Sequence, residues 1–219
     1  MENTEFAQAL RRHHALRVRE LAAAGTEMPD GQEAIMLLTS SSDDVDAADF
    51  RYRTPSALEN TLRELHKAGV DLNVEINGEP ASHYLTRHMM TEQAEMYFAD
   101  PSATLHGDDR SEPVRKLAAF ARGGVDFFGR DAQGRGFMAL GMDLLRANAE
   151  LRHPETMSPG YEPSHAWDKP AFSEVVDGAW RDLSFVKREA QRHAPAMKQT
   201  ITSKTRCRST EKVQDGMEI

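Results

Sequence analysis

Three times along this chain an apolar residue is followed three positions later by a second and, four positions after that, by glycine: Val18, Leu21, Gly25; Leu62, Leu65, Gly69; and Leu117, Phe120, Gly124. Apolar groups at i and i+3 share one face of a helix, and a glycine just beyond supplies the left-handed residue that ends it at no steric cost. The pattern therefore places three amphipathic helix ends, with 44 and then 55 residues between the glycines. The middle helix carries the fullest set of signals. Thr54 is positioned to cap it and Pro55 suits its first turn, while Leu58, Leu62 and Leu65 form one stripe and Glu59 pairs with Arg63 across one turn. Ser111, Glu112 and Pro113 repeat the device, followed by Val114, Leu117, Ala118 and Ala121 at helical spacing.

Composition agrees with helices. An aromatic content of 7% and a mean hydropathy of −0.62 are low for a sandwich or barrel, and 219 residues, 39% of them apolar, can bury one core or a short stacked array. No run of 18 apolar residues and no apolar signal core at the start are present, so the chain is expected to be cytosolic where it is made; delivery onward as an effector stays open. The single Cys207 rules out an internal disulfide. Charge is uneven: residues 1–186 carry 19 basic and 31 acidic groups, residues 187–219 carry 8 and 4. The sequence thus divides into a body, 1–195, and a polar, basic tail, 196–219, expected to be flexible because it has little apolar surface to offset its ordering entropy.

Two of the three helices are followed by matching segments, AGVDLNVEINGEPASHYL at 68–85 and GGVDFFGRDAQGRGFMAL at 123–140. Each reads as an extended reach, a turn at Asn77-Gly78 or Gln133-Gly134, and a new helix. Gly69-Val70-Asp71-Leu72-Asn73 with His83 five residues after Gly78, and Gly124-Val125-Asp126 with Asp131-Ala132-Gln133-Gly134, resemble ankyrin repeats. The resemblance implies an all-α fold: a short stack of helix pairs joined by β-hairpin-like loops. Long insertions at 40–53 and 99–111 separate the two helices of a unit. A third loop at 153–170 precedes a C-terminal capping helix, about 171–193, that packs Val176, Ala179, Trp180 and Leu183 on one face. The family's Thr-Pro-Leu-His tetrad is replaced by Pro80-Ala81-Ser82-His83 and by Gly136-Phe137-Met138-Ala139, so most of its locking hydrogen bonds are expected to be missing.

The resemblance also implies a function, protein binding through hairpin tips and inner helices, and by position it nominates Asn73, Glu75, Asn77, Glu79, Arg130 and Arg135. Tyr84 and Phe128 join them because aromatic and Arg side chains anchor interfaces. An extended segment alternates faces, so one of Phe127 and Phe128 is expected in the core. The expected partner is a protein, with a basic surface to suit the acidic body, and the chain would act as an inhibitor, immunity protein or effector. No cofactor, metal or catalytic residue is called for. Two alternatives stay open: a small metal-dependent enzyme using His83, His88 and Glu92 with a carboxylate from Asp43, Asp44, Asp46 or Asp49, and a nucleic-acid accessory protein acting through the basic residues of 187–212. Against the first, His83 and His88 stand five apart, off a common helix face. Gly134, Gly136 and Gly141 are out of step for a phosphate loop, and no nucleophile elbow occurs.

Overall fold

A computed structural model describes residues 4–40, 53–99, 110–164 and 168–214, with side chains to residue 193. The Asp43–Asp49 cluster, nearly all of the two expected insertions and the Cys207 side chain lie outside this description.

The fold is all-α. Among the described residues eight α-helices occur: α1 (Thr4–Arg11), α2 (Ala15–Ala23), α3 (Gly31–Leu38), α4 (Pro55–Ala68), α5 (Ala81–Ala99), α6 (Glu112–Gly123), α7 (Phe137–Arg152) and α8 (Phe172–Gln214). A single antiparallel pair, β1 (Glu75–Ile76) and β2 (Glu79–Pro80), sits between α4 and α5, in register Glu75 to Pro80 and Ile76 to Glu79. One 3-10 turn, Pro154–Met157, follows α7. Among the described residues no helix is long and apolar enough to cross a membrane.

The three glycine-terminated helices are α2, α4 and α6, and they end in the same way. Gly25, Gly69 and Gly124 have φ of 73°, 93° and 117°. In each case the next residue's N–H returns to the carbonyl five positions back: Thr26 to Leu21, Val70 to Leu65 and Val125 to Phe120, all at 3.1 Å. This bond satisfies a carbonyl that the helix end would otherwise leave open. The starts also follow the sequence. Thr54 Oγ1 accepts from the Ala57 N–H at 3.2 Å with Pro55 in the first turn, and Arg63 pairs with Glu59 at 3.1 Å. Ser111 stands at the N-cap of α6, but its hydroxyl donates to Gln93 Oε1 instead of capping.

These helices pack side by side. α4 lies between α2 and α6, and α6 lies between α4 and α8, while α5 packs on α7 and α6. Leu58, Leu62 and Leu65 of α4 are fully buried, each stabilising the fold by roughly 1.5–3 kcal/mol. Contact between α4 and α6 is close because Gly123 has no side chain: a Cβ there would lie 2.6 Å from Leu62 Cβ. Gly141 does the same for α7 against Leu183 of α8, so it serves helix packing inside α7.

Three features differ from expectation. α8 buries Val175, Ala179, Leu183, Val186 and Ala190, whereas Trp180 is 54% exposed and Val176 only half-buried. Both stripes have helical spacing, and the one that continues furthest, through Val186 and Ala190, is the one that packs. The α8 backbone also continues past residue 193 to Gln214, in a stretch with no glycine between Gly178 and Gly216. Finally, α1 and α3 escape a search for long periodic stripes, being eight residues each. α3 is capped by Asp30, which accepts the Glu33 N–H at 2.8 Å, and α1 buries Phe6 and Leu10. The corner from α1 to α2 is made by His13, at φ 51°. Its Nε2 lies 3.0 Å from the Leu38 carbonyl, and burial lowers its pKa to about 4, so the ring is neutral and donates from Nε2.

Candidate functional site

Two regions bring polar chemistry together. The first is the pair of loops that leave α4 and α6. In loop 70–80, Val70, Leu72 and Ile76 point into the core, which turns the intervening Asp71, Asn73, Glu75 and Asn77 outward. Asn77 and Gly78 both have positive φ, 55° and 79°, the geometry of a tight two-residue hairpin turn. In loop 125–136, Phe127 is buried edge-on against Phe137, with ring centroids 5.1 Å apart, while its neighbour Phe128 is 46% exposed. Near its tip Asp131 accepts the N–H groups of Gln133 at 3.0 Å and Arg135 at 2.8 Å and the Arg135 Nε at 2.8 Å. Burial pulls the Asp131 pKa upward, but these hydrogen bonds and the guanidinium outweigh it and hold it below the ordinary carboxylate value.

The loops are bonded to each other. The Asp126 N–H donates to Asn73 Oδ1 at 2.6 Å, and His83 Nε2 donates to the Arg135 carbonyl at 2.9 Å. His83, near the start of α5, therefore supplies a long-range lock on the second loop.

Not all of the expected binding residues remain available for a partner. Glu75, Asn77 and Phe128 are exposed. Asn73 is occupied by the inter-loop bond. Glu79 forms a two-bond ion pair with Arg87, at 2.7 and 2.9 Å, and the Arg87 hydrogen bonds lower its pKa. Arg130 donates to the Gly134 carbonyl at 2.6 Å, and Arg135 bonds Asp131 and, at 3.1 Å, Asp143. Tyr84 is half-buried, its hydroxyl 3.5 Å from Thr39 Oγ1 and its ring parallel to that of His88. The metal set separates: His83 is buried with Nε2 occupied, whereas His88 and Glu92 are exposed. Among the described residues no three His, Cys, Asp or Glu side chains are placed to hold a metal ion.

The second region was not anticipated. A cavity of about 500 Å³ lies between the start of α4, one face of α6 and Phe185 of α8. Four arginines line it: Arg53, Arg110, Arg115 and Arg122. Arg53 is buried and its Nη2 donates to the carbonyls of Ser40 at 2.9 Å and Leu38 at 3.3 Å. Arg110 lies over the Phe185 ring, 4.1 Å from its centroid, with Nε 3.6 Å from Asp182 Oδ1. Asp182 also accepts the Tyr97 hydroxyl at 2.6 Å. Burial opposes the charge of Arg122, but bonds to Glu59 at 2.7 Å and Glu189 at 3.1 Å overcome this and raise its pKa. Arg115 is exposed and makes no ion pair among the described residues.

A signal for this site exists in the sequence. Arg115 and Arg122 are seven residues apart on α6, hence on one face, with Ala118 between them. Net charge hides it, because a count over the whole chain averages a local cationic cluster into an acidic total. Compared with models of known protein families, with curated proteins and with solved structures, the chain matches none of them.

Proposed function

We propose that this protein is a non-catalytic binding protein, built as a divergent ankyrin-like stack, that grips a partner protein through the tips of its two inter-helix loops. The observation that carries the reading is the recurrence of one local structure. Leu21, Leu65 and Phe120 accept the same closing bond, and in the last two copies the chain continues through a buried valine to an aspartate that accepts an N–H two residues on, Asp71 from Asn73 and Asp126 from Phe128. Helix pairs with equivalent ends and loops bonded one to the next make a row whose geometry is fixed by its neighbours, the property that lets repeat proteins present loop tips as a rigid surface.

The contact surface on this reading is Glu75, Asn77 and Phe128. Phe128 supplies the apolar anchor and Glu75 the charge, which suits a partner with a basic patch. Asn73, Glu79, Arg130 and Arg135 hold the loops in shape, and Tyr84 supports them from α5. Binding of this kind makes the chain an inhibitor, immunity protein or effector, acting by occupying its partner's surface.

The test is affinity capture from the native cell with the full chain and with a Phe128→Ala/Glu75→Lys variant. Both side chains are solvent-facing, so the variant should melt at the same temperature as the parent. A partner retained by the parent and lost by the variant, with an association rate that falls several-fold as salt rises, supports the reading. Equal capture by both removes the loop tips as the contact surface.

A further inference from the structure

We propose that the arginine-lined cavity between α4, α6 and α8 is a binding site for a small organic molecule bearing two or more phosphate groups. Its volume of about 500 Å³ falls within the range of small-molecule sites, roughly 300–1,000 Å³, and exceeds what a single phosphate fills. The charge on its wall is specific. Among the described lining residues, Arg53, Arg110, Arg115 and Arg122 stand with one carboxylate, Glu112, which is itself paired with Lys116. In a chain with a formal charge of −8, such a concentration of cations is a local design and not a reflection of composition.

The guanidinium groups are also pre-positioned. Glu59 and Glu189 hold Arg122, Asp182 and the Phe185 ring hold Arg110, and the Leu38 and Ser40 carbonyls hold Arg53. Those three carboxylates do not line the cavity. They fix the planar donors in place, so a ligand meets guanidiniums whose rotamer entropy is already spent, and a planar fork matches two phosphate oxygens at once. Arg115 is different: exposed and without an ion pair among the described residues, it is the cation left for a ligand to recruit. The Ser56 hydroxyl at the start of α4 adds a donor beside the positive end of that helix. Phe185 and Ala118 supply an apolar wall for the organic part of the ligand.

The site is independent of the loop-tip reading, because its residues come from 53–56, 110–122 and Phe185 of α8, not from either loop. Isothermal titration calorimetry of the full chain at low salt, with ATP, inorganic pyrophosphate, inositol hexakisphosphate and adenosine as probes, tests it. ATP, pyrophosphate or the inositol phosphate should bind with one site per chain and weaken as salt rises, while adenosine gives no heat. A tighter grip on ATP than on pyrophosphate assigns the apolar wall to a base, and the reverse order for the inositol phosphate assigns the site to a polyphosphate ring. Arg115→Glu, a change at an exposed position that leaves the fold intact, should lower affinity tenfold or more, equivalent to about 1.4 kcal/mol. Phe128→Ala, in the loops, should leave it unchanged. Absence of binding by all three phosphates, or binding undiminished in Arg115→Glu, overturns the proposal.

Discussion

Residues 70–80 and 125–136 leave their helices identically, through a left-handed glycine, a buried valine and an aspartate that accepts an N–H two residues on, yet only the first goes on to form paired strands. The difference lies in the turn. Asn77 and Gly78 are both left-handed, which gives a two-residue turn whose twist matches the strands on either side, and so Glu75 and Ile76 can pair with Pro80 and Glu79. At the corresponding place in the second loop Gly134 alone is left-handed, at 76°, and the ladder does not form. Its backbone groups are satisfied from within by Asp131, whose carboxylate accepts two N–H groups and a guanidinium. One loop is thus held by paired strands; the other is held by the Asp131 carboxylate together with two turn bonds, from the Asp131 N–H to the Arg135 carbonyl at 3.0 Å and from the Gly134 N–H to the Asp131 carbonyl at 2.9 Å, and each leans on a different neighbour. The first rests on the beginning of α3, where a Cβ at Gly31 would lie 1.8 Å from the Asp71 carbonyl oxygen; the second rests on the first, where a Cβ at Gly129 would lie 3.3 Å from Pro80 Cβ.

The largest effect should come from Gly31→Ala. The clash is with backbone, not with the far end of a flexible side chain, so loop 70–80 must move or α3 must unwind at its first residue. Overpacking of this kind costs about 3 kcal/mol. In urea denaturation the midpoint should fall with the slope unchanged, because the loss is of native contacts and not of compactness in the unfolded chain. A midpoint equal to the parent's would mean that the first loop is not seated on α3.

What the sequence makes legible here depends on how local the governing physics is. The three helix ends could be read because a left-handed residue is a property of one backbone position and glycine takes it without cost. The start of α4 and the Asn77-Gly78 turn are equally local, and the separation of Phe127 from Phe128 follows from strand alternation alone. The buried stripe of α8 is not legible in the sequence, because Trp180 and Val175 both fit a helical period and only the position of α6 and α7 decides between them. α1 and α3 are too short to display a period. Arg130 and Arg135 look like free cations in a polar stretch, but the fold returns both to their own loop. The arginine cavity is hardest to see: residues 53, 110, 115, 122 and 185 meet only because α4, α6 and α8 lie side by side.

A smaller and more local effect separates the two ways of holding a loop. Asp131→Ala removes the acceptor for the Gln133 and Arg135 N–H groups, which should lose their protection in amide hydrogen exchange, while Ile76 and Glu79 of the paired strands keep theirs. Acid should do the same to the parent. The folded Asp131 pKa lies below the unfolded value of 3.8, so its contribution is complete above 3.8 and is lost as the pH drops through the folded value. Protection at residues 133 and 135 should therefore collapse at low pH ahead of protection at 76 and 79. Simultaneous loss at all four sites would mean that the loops open as one unit and that Asp131 is not the element holding the second.

The smallest effect is expected where the second loop touches the first. Gly129 lies outside the left-handed region, so alanine fits its backbone, and replacing glycine at such a position stabilises a protein by about 0.4–1 kcal/mol through loss of freedom in the unfolded chain. Against this stands a contact of 3.3 Å with Pro80 Cβ, a few tenths of an ångström too close, which a small shift of a surface loop relieves. The two terms nearly cancel, and Gly129→Ala should change stability by under about 1 kcal/mol in the same urea experiment that registers Gly31→Ala. The pair of variants then measures how firmly each loop is seated, since the same added methyl group is placed at both contacts. A loss at Gly129 as large as that at Gly31 would show that the second loop is clamped onto the first as rigidly as the first is onto α3, and that the row of loop tips has no softer end.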